Sequence, residues 1–137
     1  MKNPSVSILK KRCWKIFSLY IRKKYLGEDG LISCVTCFSR HPIEQIHAGH
    51  FVPGRGNSIL FDERGVFPQC YVCNVPKHGN TLAYLDFMRS HYGEKAEEII
   101  QELRTLAKQP KKFTKDELRE LINKYTVEHT NKEGEGV

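Results

Sequence analysis

The sequence predicts an α+β fold in which a small, metal-stapled, β-rich core is flanked by one helix before it and by helices after it. Three observations predict this. Two CxxC pairs, Cys34/Cys37 and Cys70/Cys73, are separated by 32 residues. Around and between them, residues 31–80 consist of short β-favouring runs such as LISCVTC and EQIHAGHFV, broken by Pro42, Pro53, Gly54 and Gly56. On both sides of this segment, apolar residues recur at three- and four-residue spacing. At 137 residues the chain has room for a single domain with a modest core.

The first element is a basic amphipathic helix over residues 6–26. Ile8, Leu9, Cys13, Ile16, Phe17, Tyr20, Ile21 and Tyr25 form its apolar stripe, Lys and Arg fill the rest, and Gly27 stands at the C-cap position. Its basic face is either a phosphate-contacting surface or a solvated one. Cys13, beside Trp14 and apart from the CxxC pairs, reads as a buried free thiol. After the core, residues 81–129 are helical again. TLAYLDFMRSHYG closes on a glycine, and EKAEEIIQELRTLAKQ has an acidic first turn and a basic last turn. The third helical stretch, PKKFTKDELRELINKYTVEH, opens with a capping box of Thr114 and Glu117. Residues 130–137, TNKEGEGV, read as a flexible tail.

The core lacks the long apolar elements that would let it fold unaided, so it needs a staple. Two CxxC knuckles bring four thiolates to one Zn²⁺, and a closed four-sulfur shell makes that zinc structural. The alternatives on ligand chemistry are an iron–sulfur cluster or a redox dithiol pair. Chemistry must then come from the residues the clip holds in place. The insert between the pairs supplies His41, His47, His50, Arg55, Asn57, Asp62, Glu63 and Arg64.

Lys and Arg number 22 against 16 Asp and Glu, a formal charge of +6. That sign fits either a polyanion-binding surface or a merely soluble basic protein. No stretch is apolar enough to span a membrane and the N-terminus has no signal-peptide pattern, so the expected compartment is the cytoplasm.

The order CxxC, then a histidine in AGHFV, then a loop, then CxxCN with Lys and Gly close behind in CYVCNVPKHGN resembles the HNH nucleases with a structural zinc. Those share a ββα-metal core and include phage Holliday-junction endonucleases. A closer resemblance is to the NinG (Rap) family of phage recombination proteins, through WKIFSLYIR, CVTC, AGHFVPGRGN, FDERGVFPQC and CNVPKHGN; it covers roughly residues 13–92. It implies a metal-dependent endonuclease acting on branched DNA in the bacterial host cytoplasm, alongside other phage recombination proteins. The competing reading is a non-catalytic zinc-knuckle protein that binds branched DNA.

By position, the resemblance makes His50 the general base and Asn74 the ligand of a catalytic Mg²⁺ or Mn²⁺. HNH enzymes usually carry a further metal ligand directly before the base, where this chain has Gly49; His47, Asp62 and Glu63 are the substitutes to consider. His47 reads equally as a structural hydrogen bonder. The middle asparagine of the pattern is replaced by Gly65, which leaves Asn57 as the candidate brace of the catalytic loop. Arg55 is expected to clamp a phosphate, with Arg64, Lys77, His78, Lys11 and Arg12 as further DNA contacts. Symmetrical resolution of a four-way junction favours a homodimer. Leu103, Leu106, Leu118, Leu121 and Ile122 are then either its interface or part of the core of one subunit.

Overall fold

The computed structural model describes residues 3–135, with side chains described over 3–128. Helix α1, Val6–Lys24, starts where the Ser5 hydroxyl accepts the Ile8 N–H at 3.2 Å. The stripe read from the sequence is the buried face, with Leu9, Cys13, Phe17, Tyr20 and Ile21 turned inward. The helix stops two residues earlier than its periodicity predicts, with Tyr25 as C-cap. Gly27 is not in the left-handed region expected of a capping glycine. A Cβ there would lie 2.8 Å from Arg40 Nη2, so the position is small because the Arg40–Asp29 ion pair packs on it.

Strands β1 (Ile32–Ser33) and β2 (Arg40–His41) pair antiparallel and frame the first knuckle. Strands β3 (Ile46–His50) and β4 (Val66–Cys70) form a second antiparallel ladder running from Ile46 opposite Cys70 to His50 opposite Val66. Between them lie the 53–56 loop and the single turn α2, Asn57–Leu60. Helix α3, Tyr71–Asn74, follows β4 directly and is also a single turn. Three longer helices complete the chain: α4 (Thr81–Tyr92), α5 (Ala96–Ala107) and α6 (Lys115–Glu135).

The β3–β4 ladder is the middle of three layers, because its side chains alternate between two cores. Ala48 and Val66 join Phe17, Tyr20, Ile21 and Tyr125 of α1 and α6. Phe67 joins Tyr84, Met88, Ala96, Ile100 and Leu103 of α4 and α5. Leu9, Cys13 and Leu118 extend the α1–α6 contact, and burial pushes the Cys13 thiol up to about 11, as befits an inert core cysteine. Leu103 and Leu118 are therefore core residues of one chain; Leu121 and Ile122 pack against the same core. Leu106 is half-buried on α5.

The capping box at α6 forms as expected: Thr114 Oγ1 accepts the Glu117 N–H, and Glu117 Oε1 accepts the Thr114 N–H, both at 3.1 Å. The backbone of α6 stays helical through Glu135, so residues 130–135 extend the helix where a tail was expected. No proline or glycine interrupts the sequence between 115 and 133. Residues 136 and 137 lie outside the described residues. Among the described residues, no helix is long and apolar enough to cross a membrane.

Candidate functional site: a cysteine clip and the cleft beside it

The residue after β1, the turn that follows it, the end of β4 and α3 each contribute one cysteine. Their four sulfurs lie within 4.8 Å of one another. The Cys37 and Cys70 sulfurs are 3.6 Å apart. A disulfide requires about 2.05 Å, whereas Zn–S bonds of about 2.3 Å in a tetrahedron give an edge near 3.8 Å. The donor set thus fits a single tetrahedral ion such as zinc. The Thr36 and Ser39 hydroxyls stand 3.2 and 3.0 Å from the Cys34 and Cys37 sulfurs. The Asn80 amide donates to Cys73 at 3.5 Å. Polar partners of this kind orient metal-bound thiolates.

Next to the clip, on the α1 side of the ladder, is an open cleft of about 680 Å³. Its walls come from four places in the sequence: Trp14, Ser18 and Arg22 of α1; Glu44, His47 and His50; the loop at 53–55; and Asn74 with His78 and Gly79. His47, His50, Arg55, Asn74 and His78 were singled out from the sequence, and they share this one space. Lys77 is exposed in the same 75–79 loop, and Lys11 and Arg12 are exposed on α1.

His50, the last residue of β3, is 9% exposed. Its Nε2 lies 3.1 Å from the Leu60 carbonyl oxygen. A carbonyl only accepts, so Nε2 carries the proton and Nδ1 keeps a lone pair. The imidazole also stacks on Trp14, with centroids 5.3 Å apart and planes 20° from parallel. Burial lowers the His50 pKa from its ordinary value; the Leu60 hydrogen bond pulls the other way and the Arg55 charge adds to the lowering. The ring is therefore a neutral base at neutral pH. Arg55 sits in the left-handed region at φ 49°, after Gly54 at φ 101°, and its guanidinium carbon is 4.4 Å from the Trp14 ring centroid. Asn74 ends α3 with its amide nitrogen 3.0 Å from His47 Nδ1.

Side chains crowd both Gly49 and Gly65, the first severely and the second slightly. A Cβ at Gly49 would fall 2.1 Å from Gln69 Oε1 and 2.9 Å from its Cδ. Gln69 is fully buried and held by hydrogen bonds from its amide nitrogen to Thr36 Oγ1 at 3.1 Å and the Gly79 carbonyl at 2.8 Å. At Gly65 a Cβ would meet Leu103 Cδ1 at 3.0 Å. The loop after His50 is braced by backbone instead, through the Phe51 N–H donating to the Gly65 carbonyl at 2.8 Å. Tyr84, fully buried, adds a hydroxyl donated to the Gly49 carbonyl at 2.6 Å.

Two residues expected at the site are elsewhere. Asn57 donates to the Lys111 carbonyl at 3.0 Å, so it ties α2 to the α5–α6 connection and does not brace the loop after His50. Arg64 pairs with Asp62 at 2.8 Å and Glu102 at 2.5 Å and does not line the cleft. Asp62 is thereby occupied, and Glu63 faces Tyr125, Lys24 and Lys124, so neither supplies a ligand to the cleft. Sequence reasoning missed Arg22, held in the cleft wall by bonds to the Ser18 and Ile43 carbonyls at 3.1 and 2.8 Å. It also missed Glu44, the one carboxylate among the described residues lining the cleft. Arg22 did carry a signal, being on a basic helix, but nothing local separates it from its neighbours.

A family model for the bacteriophage lambda NinG protein matches residues 4–134. The ninG proteins of Escherichia phage 933W and Escherichia phage lambda are each 28% identical to the chain over 92 residues. That alignment covers 66% of this chain and 43% of each relative, so the chain spans under half the length of the curated relatives it matches. No solved structure matches it. With nearly its whole length matched by that model, the chain belongs to the family of the bacteriophage lambda NinG protein.

Proposed function

We propose that the chain is a metal-dependent DNA endonuclease of the HNH kind, cutting branched recombination intermediates such as Holliday junctions, D-loops and flaps. The observation that carries this reading is the meeting of His50 and Asn74 in one cleft beside the cysteine clip. His50 Nδ1 takes a proton from water while the water oxygen bonds to phosphorus. The P–O bond on the opposite side breaks, and the leaving oxygen takes a proton from solvent. Asn74 and His47 would hold a divalent ion, Mg²⁺ or Mn²⁺, which when bound stabilises the charge that develops on the phosphate. Arg55 and Arg22 line the cleft as cations for flanking phosphates. A zinc on Cys34, Cys37, Cys70 and Cys73 would hold β4 and α3 in place and, with a closed four-sulfur shell, would take no part in the reaction.

One observation favours a second reading, a non-catalytic protein that binds branched DNA. Gln69 closes the position before His50, where HNH enzymes carry a metal ligand. Incubating the protein with labelled linear, flapped, three-way and four-way DNAs, with and without Mg²⁺ or Mn²⁺, separates the two. Ion-dependent cutting of branched substrates is the expected result. Selective binding without cutting under any ion favours the second reading.

A further inference from the structure

We propose that Trp14 is a positioning residue for His50: its indole fixes the plane of the imidazole and so aims the base nitrogen into the cleft. The inference rests on the nuclease reading above. The hydrogen bond to the Leu60 carbonyl holds Nε2 only within the angular tolerance of an N–H···O bond, which leaves the ring plane free to rock about its Cβ–Cγ bond. A flat surface against the ring face removes that freedom. Trp14 provides it, with the two rings 20° from parallel and 5.3 Å between centroids.

The indole is itself anchored. Phe17 and Phe61 pack on it at 5.9 and 6.5 Å between centroids, and Phe17 is fully buried in the α1–α6 core. The position of the base is thus set by α1, from 36 residues upstream, as well as by its own strand. The indole also carries Arg55 at 4.4 Å, so the group that faces phosphate and the group that faces water share one support. The groups facing His50 are Trp14 from α1, the Leu60 carbonyl from α2 and Arg55 from the loop, with Arg22, Glu44, His47 and His78 lining the same cleft.

Trp14 is the only tryptophan in the chain, so its fluorescence reports the contact directly. In the zinc-loaded full chain, emission should be quenched as His50 gains a proton on acidification, and His50→Gln should remove that step. Trp14→Leu should lower kcat on branched DNA by about 10- to 100-fold, the scale of a misplaced catalytic group. Zinc content should stay near wild type, KM should rise by a smaller factor because Arg55 loses its support, and Trp14→Phe, which restores a flat ring, should recover most of the loss in kcat. Emission that ignores both pH and His50→Gln, or a Trp14→Leu protein with wild-type kcat, overturns the inference. If Trp14→Leu fails to fold, the pH-dependent emission of the wild type and of His50→Gln still decides it. If the wild type cuts no DNA while its emission follows His50, the nuclease reading falls and the Trp14–His50 contact stands.

Discussion

Gly49 and Gln69 compete for one volume: a Cβ on the first would lie 2.1 Å from Oε1 of the second. The Gln69 side chain cannot swing clear, because Thr36 and the Gly79 carbonyl hold its amide nitrogen inside a fully buried site. The same glutamine ties a hydroxyl beside the cysteine clip to the loop that follows Asn74. The absence of a side chain before His50 is therefore part of how the clip and the cleft are joined.

Gly49→Ala should destabilise the fold by about 1–3 kcal/mol, the usual range for overpacking a tight interior. Adding Gln69→Ala should recover part of that loss, since the two substitutions relieve one clash. Urea unfolding of both single variants and the double variant measures the coupling. Strictly additive effects would show that the two residues do not compete. By the same argument, Gly49→Asp should not create a better metal site.

Removing the metal should unfold the core. The ladder is five residues long on each strand, and β1–β2 has two residues per strand, which is too little to hold four thiols together unaided. The expected finding is one zinc per chain by elemental analysis, with chelation or Cys70→Ser abolishing the cooperative thermal transition. A chelated protein that melts at the same temperature as the untreated one would rule out a structural ion.

The helices were legible because their signals are local: the α1 stripe recurs within each turn, and the Thr114–Glu117 box needs only three residues. The cysteine clip was legible because CxxC spacing carries its own geometry. The cleft was only half legible. His47, His50, Arg55, Asn74 and His78 lie between the knuckles or just past the second, whereas Trp14 and Arg22 reach the cleft from α1. Tyr84 reaches Gly49 across the ladder from 35 residues away. Asn57 was misread for the same reason in reverse, since its partner Lys111 is 54 residues on. Contacts of that range depend on how the layers stack, which no local pattern encodes.

The pH dependence follows from the direction of the His50 shift. Burial lowers its folded pKa from 6.5, with Arg55 adding to the effect and the Leu60 bond opposing it. The unfolded chain then binds this proton more readily than the folded one. His50's contribution to stability is full above pH 6.5 and is lost as pH falls from there through the folded value. The base must also be neutral to act, so kcat/KM should hold level down to about neutral pH and fall only below the ordinary imidazole range. A rate profile of zinc-loaded protein that already falls with acidification above pH 7 would contradict this order.

His50→Ala should abolish cleavage while leaving zinc content and DNA affinity close to wild type. His50 belongs to β3 and is not among the four cysteines of the clip, and the cations Arg22 and Arg55 remain in place without it. On the nuclease reading the variant loses the nitrogen that takes the proton from the attacking water, worth about 10² to 10⁴ in rate. Asn74→Ala should behave differently. On the nuclease reading it would hold an ion together with His47, its neighbour at 3.0 Å, so part of the lost rate should return at high Mn²⁺, where mass action compensates for a weakened site. Single-turnover cleavage across a Mn²⁺ series separates the two: a flat, near-zero line for His50→Ala and a rising one for Asn74→Ala. The reverse pattern would exchange their roles, and wild-type rates from His50→Ala would move the search for the base to His47.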